Sequence, residues 1–433
     1  MSGDGDGGEE GEDRTTRLFH LTMPPEDVMA RADAITEKTR AADERKLRAE
    51  HERRKLLIQA EPGIRRALDA YSELDSGDLE TVRIRGGFVR LESPRVARPD
   101  PHRYSRGADV ESRPVMTRLV ARHRHSLKLL LSMIYVAHLE GQPSAAWKNR
   151  HPNTPKTGST ASWLELSGLW VPVDRAMPVH VRAQRRRLTT AMGNLVTNRL
   201  LGLTGMEGVA GRYSNFELLD ETGSGTGYQV PGERQVRNKD AIEIPADFFR
   251  SGWHLVLSDH EIVTLLALID RTAELRMARR HRGIHDIGVD LKESVRWSTY
   301  GLSGEAYSSV HKLHEFDCID LIDPMPNRRS AREPLEPLAA IAGSTTADTD
   351  PASPASSPSP QSDPGPFASP EPVSEAREAY RLVYPPESVD TNGYPFYRDA
   401  FNIVRDHLYN TDGVWPSASA KRDATESASN SAR

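Results

Sequence analysis

From residue 113 to residue 329 the apolar positions change period several times, and each change predicts an element. Leu119, Val120, Leu127, Leu130, Leu131 and Ile134 recur at helical spacing, which predicts a helix with a buried face. Trp163, Leu164, Leu166 and Leu169 mark a short amphipathic helix within Thr160–Trp170. Pro178 stands near the start of a second long helix, as proline favours. Leu188, Met192 or Ala191, Leu195 and Arg199 or Leu200 give that helix its inner face. The period then drops to two: residues 211–221 and 227–231 read as strands joined by the turn Thr-Gly-Ser-Gly-Thr. Further on, Ile242–Pro245 reads as a strand, and Ser258 with Glu261 has the spacing of a capping box. Ile262, Leu265, Leu266 and Ile269 line the helix that this box opens. A shorter element over 288–300, a helix around Ala306, Val310 and Leu313, and a short strand in Cys318–Asp323 follow.

The flanks lack this patterning. Residues 1–22 form an acidic, glycine-rich leader with nothing to bury, expected to be disordered. Residues 25–75 read as a charged helical arm: Asp and Glu open it, Arg and Lys close it, and Glu44–Arg48 and Glu50–Arg54 sit at i,i+4. Its apolar positions are too sparse for a coiled coil, so it is a solvated helix, or else an arm for dimerisation or partner binding. Residues 76–112 predict a strand pair, Glu80–Ile84 and Gly87–Glu92, around a Gly86-Gly87 turn, then a connector. Residues 330–373 are a Ser/Pro linker expected to be disordered, and 374–412 an aromatic patch with one helix over Tyr397–Tyr409. Residues 413–433 are expected to be a disordered tail.

Composition sharpens this picture. Only 37% of the 433 residues are hydrophobic and 27% are charged, so compact parts flanked by unpacked chain are expected. The net charge of −5 hides an asymmetry. Residues 114–240 carry 17 Lys and Arg against 9 Asp and Glu, whereas 241–329 carry 11 against 14. The first segment suits a polyanion and the second does not. One cysteine, Cys318, excludes an internal disulfide and a thiolate zinc site, and a reducing compartment fits. The N-terminal residues lack the apolar stretch of a secretory signal, and no apolar run is long enough to span a bilayer. A cytoplasmic location without membrane contact is the expectation.

The order helix, short helix, helix, hairpin in 113–239, and its partial repeat in 240–329, resembles the winged-helix class of helix-turn-helix proteins. Arrays of two such modules are similar to plasmid replication initiators and some bacterial regulators. The resemblance implies an α+β, mostly α fold with a basic winged-helix-like module at 113–239 and an acidic one at 240–329. The second has no clear basic wing. It implies a non-enzymatic, cofactor-free protein that binds double-stranded DNA, a transcriptional regulator or replication initiator, with homodimerisation through the second module or the arm. The competing expectation is a scaffold or adaptor whose winged folds hold proteins.

The candidate interface is the helix 179–202 with the wing 203–231. No acidic residue occurs from Val179 to Leu203. Arg182, Arg185, Arg186 and Arg187 offer guanidinium groups to phosphates or guanine edges, Thr189 and Thr190 offer hydroxyl and methyl groups, and Gly193 permits close approach. Arg212 opens the wing. The bland alternative is a solvated cationic helix. Arg276–Arg282 is read first as a complement to a helix C-terminus. His281 and His285, or His311 and His314, have helical spacing for metal but no completing ligands, so no metal site is expected. Gly223–Gly227 lacks the Lys-Ser/Thr of a phosphate loop and reads as a hairpin turn. Cys318 lies in an apolar strand, and no nucleophile elbow is present, so no catalytic residue is expected.

Overall fold

The computed structural model describes residues 25–94, 113–120, 125–141, 147–156, 160–172, 178–203, 205, 211–238, 240–280, 288–322, 381–384 and 395–409. The leader, the Ser/Pro linker, the tail, His281 and His285 lie outside them. The protein is α+β and mostly α. Residues 1–55 and 56–433 are two compact units. Helix α1 (Pro25–Leu74) contributes to each. In the first unit its surface carries i,i+4 ion pairs from Glu44 to Arg40 and Arg48.

In the second unit α1 is followed by β1 (Thr81–Arg85), α2 (Gly86–Val89), α3 (Val115–Val120), α4 (Ser126–Glu140), α5 (Trp163–Leu166) and α6 (Pro178–Thr197). Strands β2 (Leu201–Leu203) and β3 (Phe216–Leu218), helix α7 (Glu233–Arg237) and strand β4 (Ala241–Pro245) come next. Helices α8 (Asp247–Arg250), α9 (Trp253–Val256), α10 (Asp259–Arg280), α11 (Glu293–Ser298), α12 (Gly304–Ser308) and α13 (Val310–Glu315) lead to β5 (Asp320–Ile322). Strand β6 (Arg381–Val383) and helix α14 (Ala400–Tyr409) close the order. Three antiparallel strand pairs form, β1–β4, β2–β3 and β5–β6. No helix among the described residues is long and apolar enough to cross a membrane.

Helix α4 is buried from Ser126 to His138 except at the half-buried Lys128, and is the axis of the core. Around it pack α3, the amphipathic α6, α9 and β1, and Tyr71 of α1 meets its Ser132 and Tyr135. Gly63 of α1 is required: a Cβ there would lie 2.3 Å from the Gly168 carbonyl oxygen. Hydrogen bonds join several polar groups inside the core. Tyr71 Oη meets Ser132 Oγ, His254 Nε2 and the Leu166 carbonyl. His138 accepts the Arg83 backbone N–H at Nε2 and faces the Ile134 carbonyl with Nδ1, which assigns it as a neutral Nδ1–H tautomer joining β1 to α4.

One expectation is corrected here. The Gly86-Gly87 hairpin does not form, because Gly86–Val89 is helical and β1 pairs with β4 from Thr81↔Pro245 to Arg85↔Ala241. The local turn signal yields to a pairing that buries Val82 and Ile84 against the core, while α2 buries Phe88 and Val89. The expected boundary at 239–240 falls inside one compact unit, whose apolar core is continuous from Leu57 to Leu408. The expected capping box is present, with Ser258 N–H donating to Glu261 Oε2 at 2.8 Å and Glu261 N–H facing Ser258 Oγ at 3.3 Å.

The C-terminal aromatic patch is part of this core. Strand β6 pairs with β5, and Leu382 also bridges Val289. Phe396 is enclosed by Phe248, Trp253 and Tyr384, and its carbonyl accepts from Trp253 Nε1 at 3.3 Å. Asp399 accepts from the Asn402 backbone and caps α14, so the helix begins at Ala400 and Pro395–Tyr397 forms a 3₁₀ turn instead.

Candidate nucleic-acid interface

Helix α6 divides into two halves. Leu188, Ala191, Met192 and Leu195 are buried and seat its C-terminal half on α4, α5 and β2. From Pro178 to Arg187 no residue is buried, and Val179 is 63% exposed. The basic half therefore stands clear of the core. At 100° per residue, Arg182, Arg186, Thr189 and Gly193 form one stripe opposite the buried face. Arg185 and Arg187 lie on the two flanks of that stripe, and Thr190 sits beside it. Arg182, Arg185, Arg186, Arg187, Thr189 and Thr190 are all exposed.

None of the four arginines has a carboxylate partner among the described residues. Arg182 Nε reaches the Pro178 carbonyl at 3.4 Å and Arg187 Nη1 reaches Gln184 Oε1 at 3.4 Å, both long contacts. The Thr189 hydroxyl donates to the Arg185 carbonyl, leaving its lone pairs as acceptors. Arg187 stands on the side of α4, where it is among the charges acting on His125. Burial above all, then Lys128 and Arg187, pushes His125 down to about 3, while its hydrogen bond to Ser167 acts the other way.

The helix ends with a cation that sequence reasoning assigned ambiguously. Leu200 N–H donates to the Leu195 carbonyl and Arg199 N–H to the Val196 carbonyl, a Schellman termination. Leu200 is buried and Arg199 is exposed, with φ of 58°. That left-handed position favours glycine, and an arginine there costs about 1 kcal/mol. The choice of a costly, exposed cation was visible only once the terminus was placed.

The segment expected as the wing lies against the same helix. Leu201–Leu203 pairs with Phe216–Leu218, and a second turn carries the chain from Leu219 back to Gly227. Gly223 and Gly225 take positive φ there, so Gly223–Gly227 is a hairpin turn. Arg85 of β1 clamps its base, donating to Glu221 Oε2 at 2.5 Å and to the Gln229 carbonyl at 2.7 Å, and pairing with Asp220 at 3.1 Å. At the wing's start the Tyr213 hydroxyl sits 3.2 Å from where a Cβ of residue 193 would lie. The close approach that Gly193 permits is thus made by the wing. The Arg212 guanidinium stands 5.7 Å over the Tyr213 ring, which brings the half-buried Arg212 to the C-terminal half of α6.

The other candidates resolve differently. His314 Nδ1 faces the Ile319 carbonyl, and no metal-holding group of three or more ligands occurs among the described residues. Cys318 is fully buried, and burial pushes its thiol well above the usual range. The side chains of Arg276–Arg282 lie outside the described residues. On the second segment Lys312 pairs with Glu315 at 2.6 Å.

No protein-family model matches the chain, and neither the curated proteins nor the solved structures contain a match to it.

Proposed function

We propose that this protein binds double-stranded DNA, with the N-terminal half of α6 entering a groove and the wing beside it meeting the flanking backbone. The observation that carries the reading is the set Arg182, Arg185, Arg186 and Arg187, exposed on a half-helix outside the core and without carboxylate partners. Leaving four like charges adjacent gains the fold nothing, and a polyanion neutralises them. The stripe Arg182–Arg186–Thr189 faces the groove floor, where arginine reads guanine and threonine meets a thymine methyl. Arg185 and Arg187, on opposite flanks, face phosphates of the two strands.

The order α4, α5, α6, β2–β3 parallels a winged helix, with one departure. Residues 167–177 separate α5 from α6, whereas a helix-turn-helix uses a turn of roughly 3–4 residues. The angle of α6 is set by its packing on α4 instead. A role as regulator or replication initiator, and pairing of copies through the second segment or the arm, belong to the same proposal.

The test is retention of genomic DNA fragments by the full-length protein over a salt series, compared with Arg185→Ala/Arg186→Ala. Loss of the Arg185 phosphate contact makes the slope of log affinity against log salt shallower by about 0.9, and loss of the Arg186 base contact weakens binding further. An unchanged affinity and slope removes these residues from the interface, and no retention at low salt removes DNA from the function.

A further inference from the structure

Between α4 and α5 the segment 147–156 has no helix or strand, yet it is pinned at nearly every inward position. Its side chains alternate: Trp147 and His151 are buried and Asn149 half-buried, while Lys148 and Arg150 are exposed. The Trp147 backbone N–H donates to the Tyr228 carbonyl at 3.1 Å and its indole to Glu140 Oε2 at 3.1 Å. His151 sits between the Ala161 carbonyl at 2.7 Å and Glu140 Oε1 at 3.0 Å, so both ring nitrogens face oxygen acceptors. Burial would raise the Glu140 carboxyl, but hydrogen bonds from His151 and Trp147 outweigh it and hold the group below the usual carboxylate range. Asn149 accepts from Trp163 Nε1 at 3.0 Å.

The segment is also tied to the interface. Asn153 Nδ2 donates to the Tyr213 carbonyl at 2.9 Å, and Tyr213 is the residue that rests on Gly193 of α6. The segment, the wing and the helix are therefore contiguous. Residues 147–156 contain no carboxylate, and Lys148 and Arg150 are exposed, with the Arg150 charge acting on Glu140 of α4. A long irregular connection in a compact body is characteristically functional, and one so firmly held presents its outward charges at fixed positions.

Resting on the nucleic-acid reading of α6, we propose that Lys148 and Arg150 form a second, preorganised phosphate clamp that grips the DNA backbone beside the groove occupied by the helix. The alternation places both cations on the outer side of one rigid segment, as two contacts along a phosphate strand require. They contribute affinity and register rather than base discrimination.

The experiment uses the full-length protein and a mixed-sequence duplex of about 30 base pairs, titrated over about 50–200 mM salt. Lys148→Ala/Arg150→Ala is compared with the Arg185/Arg186 double variant and with the parent. The clamp predicts affinity lower on the order of tenfold, a salt slope shallower by about 1.8, and the same fold loss on every duplex sequence. The thermal midpoint stays at the parent value, because both side chains are exposed. If the parent binds and the Arg185/Arg186 variant weakens while Lys148→Ala/Arg150→Ala matches the parent in affinity and slope, the clamp is wrong and the α6 reading stands. If the parent does not bind the duplex at any salt, both fall together.

Discussion

The arginines at the core junctions and those on α6 belong to one chain and have opposite surroundings. Arg85 meets Glu221, which is 0% exposed, Arg90 meets Asp270 at 2%, and Arg250 meets Asp75 at 6%. Each joins elements distant in sequence: β1 to the wing base, the end of α2 to α10, and α8 to the turn after α1. On α6 four arginines stand within six positions with no acid beside them. A guanidinium facing a buried carboxylate is committed to the fold. One facing water among its own kind is available to a partner.

The largest effect that separates the two groups is on stability. Arg85→Ala strands Glu221 in the core, and burial already raises that carboxyl against the opposing pull of Arg85. Losing one partner of a buried pair costs about 3–5 kcal/mol. Urea unfolding measures this, with Arg186→Ala as the contrast, expected within about 0.5 kcal/mol of the parent. Equal destabilisation by the two would erase the distinction.

Acid should act through the interior rather than through the arginine face. Burial depresses three histidines, His125 and His254 to about 3 and His138 to about 4. Secondary causes are neighbouring cations, Lys128 for His125 and His254, and Arg83 for His138. Their folded values lie below the unfolded value near 6.5, so the native state binds fewer protons. The stability they leave intact above pH 6.5 is lost progressively as pH falls toward 4 and then 3. Each contributes a slope of about 1.4 kcal/mol per pH unit, and three together about 4. Unfolding free energy measured from pH 7 to pH 5 tests this. His138→Gln, which can keep an acceptor for the Arg83 N–H, should lower the slope by about 1.4. A slope indifferent to that change would mean that His138 binds its proton equally in the native and unfolded states.

The smallest effect concerns Arg199. Arg199→Gly relieves the left-handed backbone and should stabilise the protein by about 1 kcal/mol. If Arg199 also meets phosphate, the same variant loses affinity as it gains stability, and the two readouts together decide whether that strain serves the interface.

Much of this was legible locally. The inner face of α6, the Ser258–Glu261 box and the Gly223–Gly227 turn were readable because each depends on residues a few positions apart. So was the acid-free run from Val179 to Leu203, which singled out the candidate face. The Gly86-Gly87 hairpin was misread because β1 finds its partner far along the chain, at 241–245. The anchoring of 147–156 was not legible locally, because its partners Ala161, Tyr213 and Tyr228 come from beyond the segment. Sequence by itself determined which residues are amphipathic, which carry charge, and where turns are cheap, since these follow from side-chain chemistry at short range. Only the tertiary structure decided which arginines are committed to carboxylates, that α6 leaves its basic half outside the core, and that the wing rests on Gly193. Those outcomes depend on which groups lose water together, and that is set by contacts between elements dozens of residues apart.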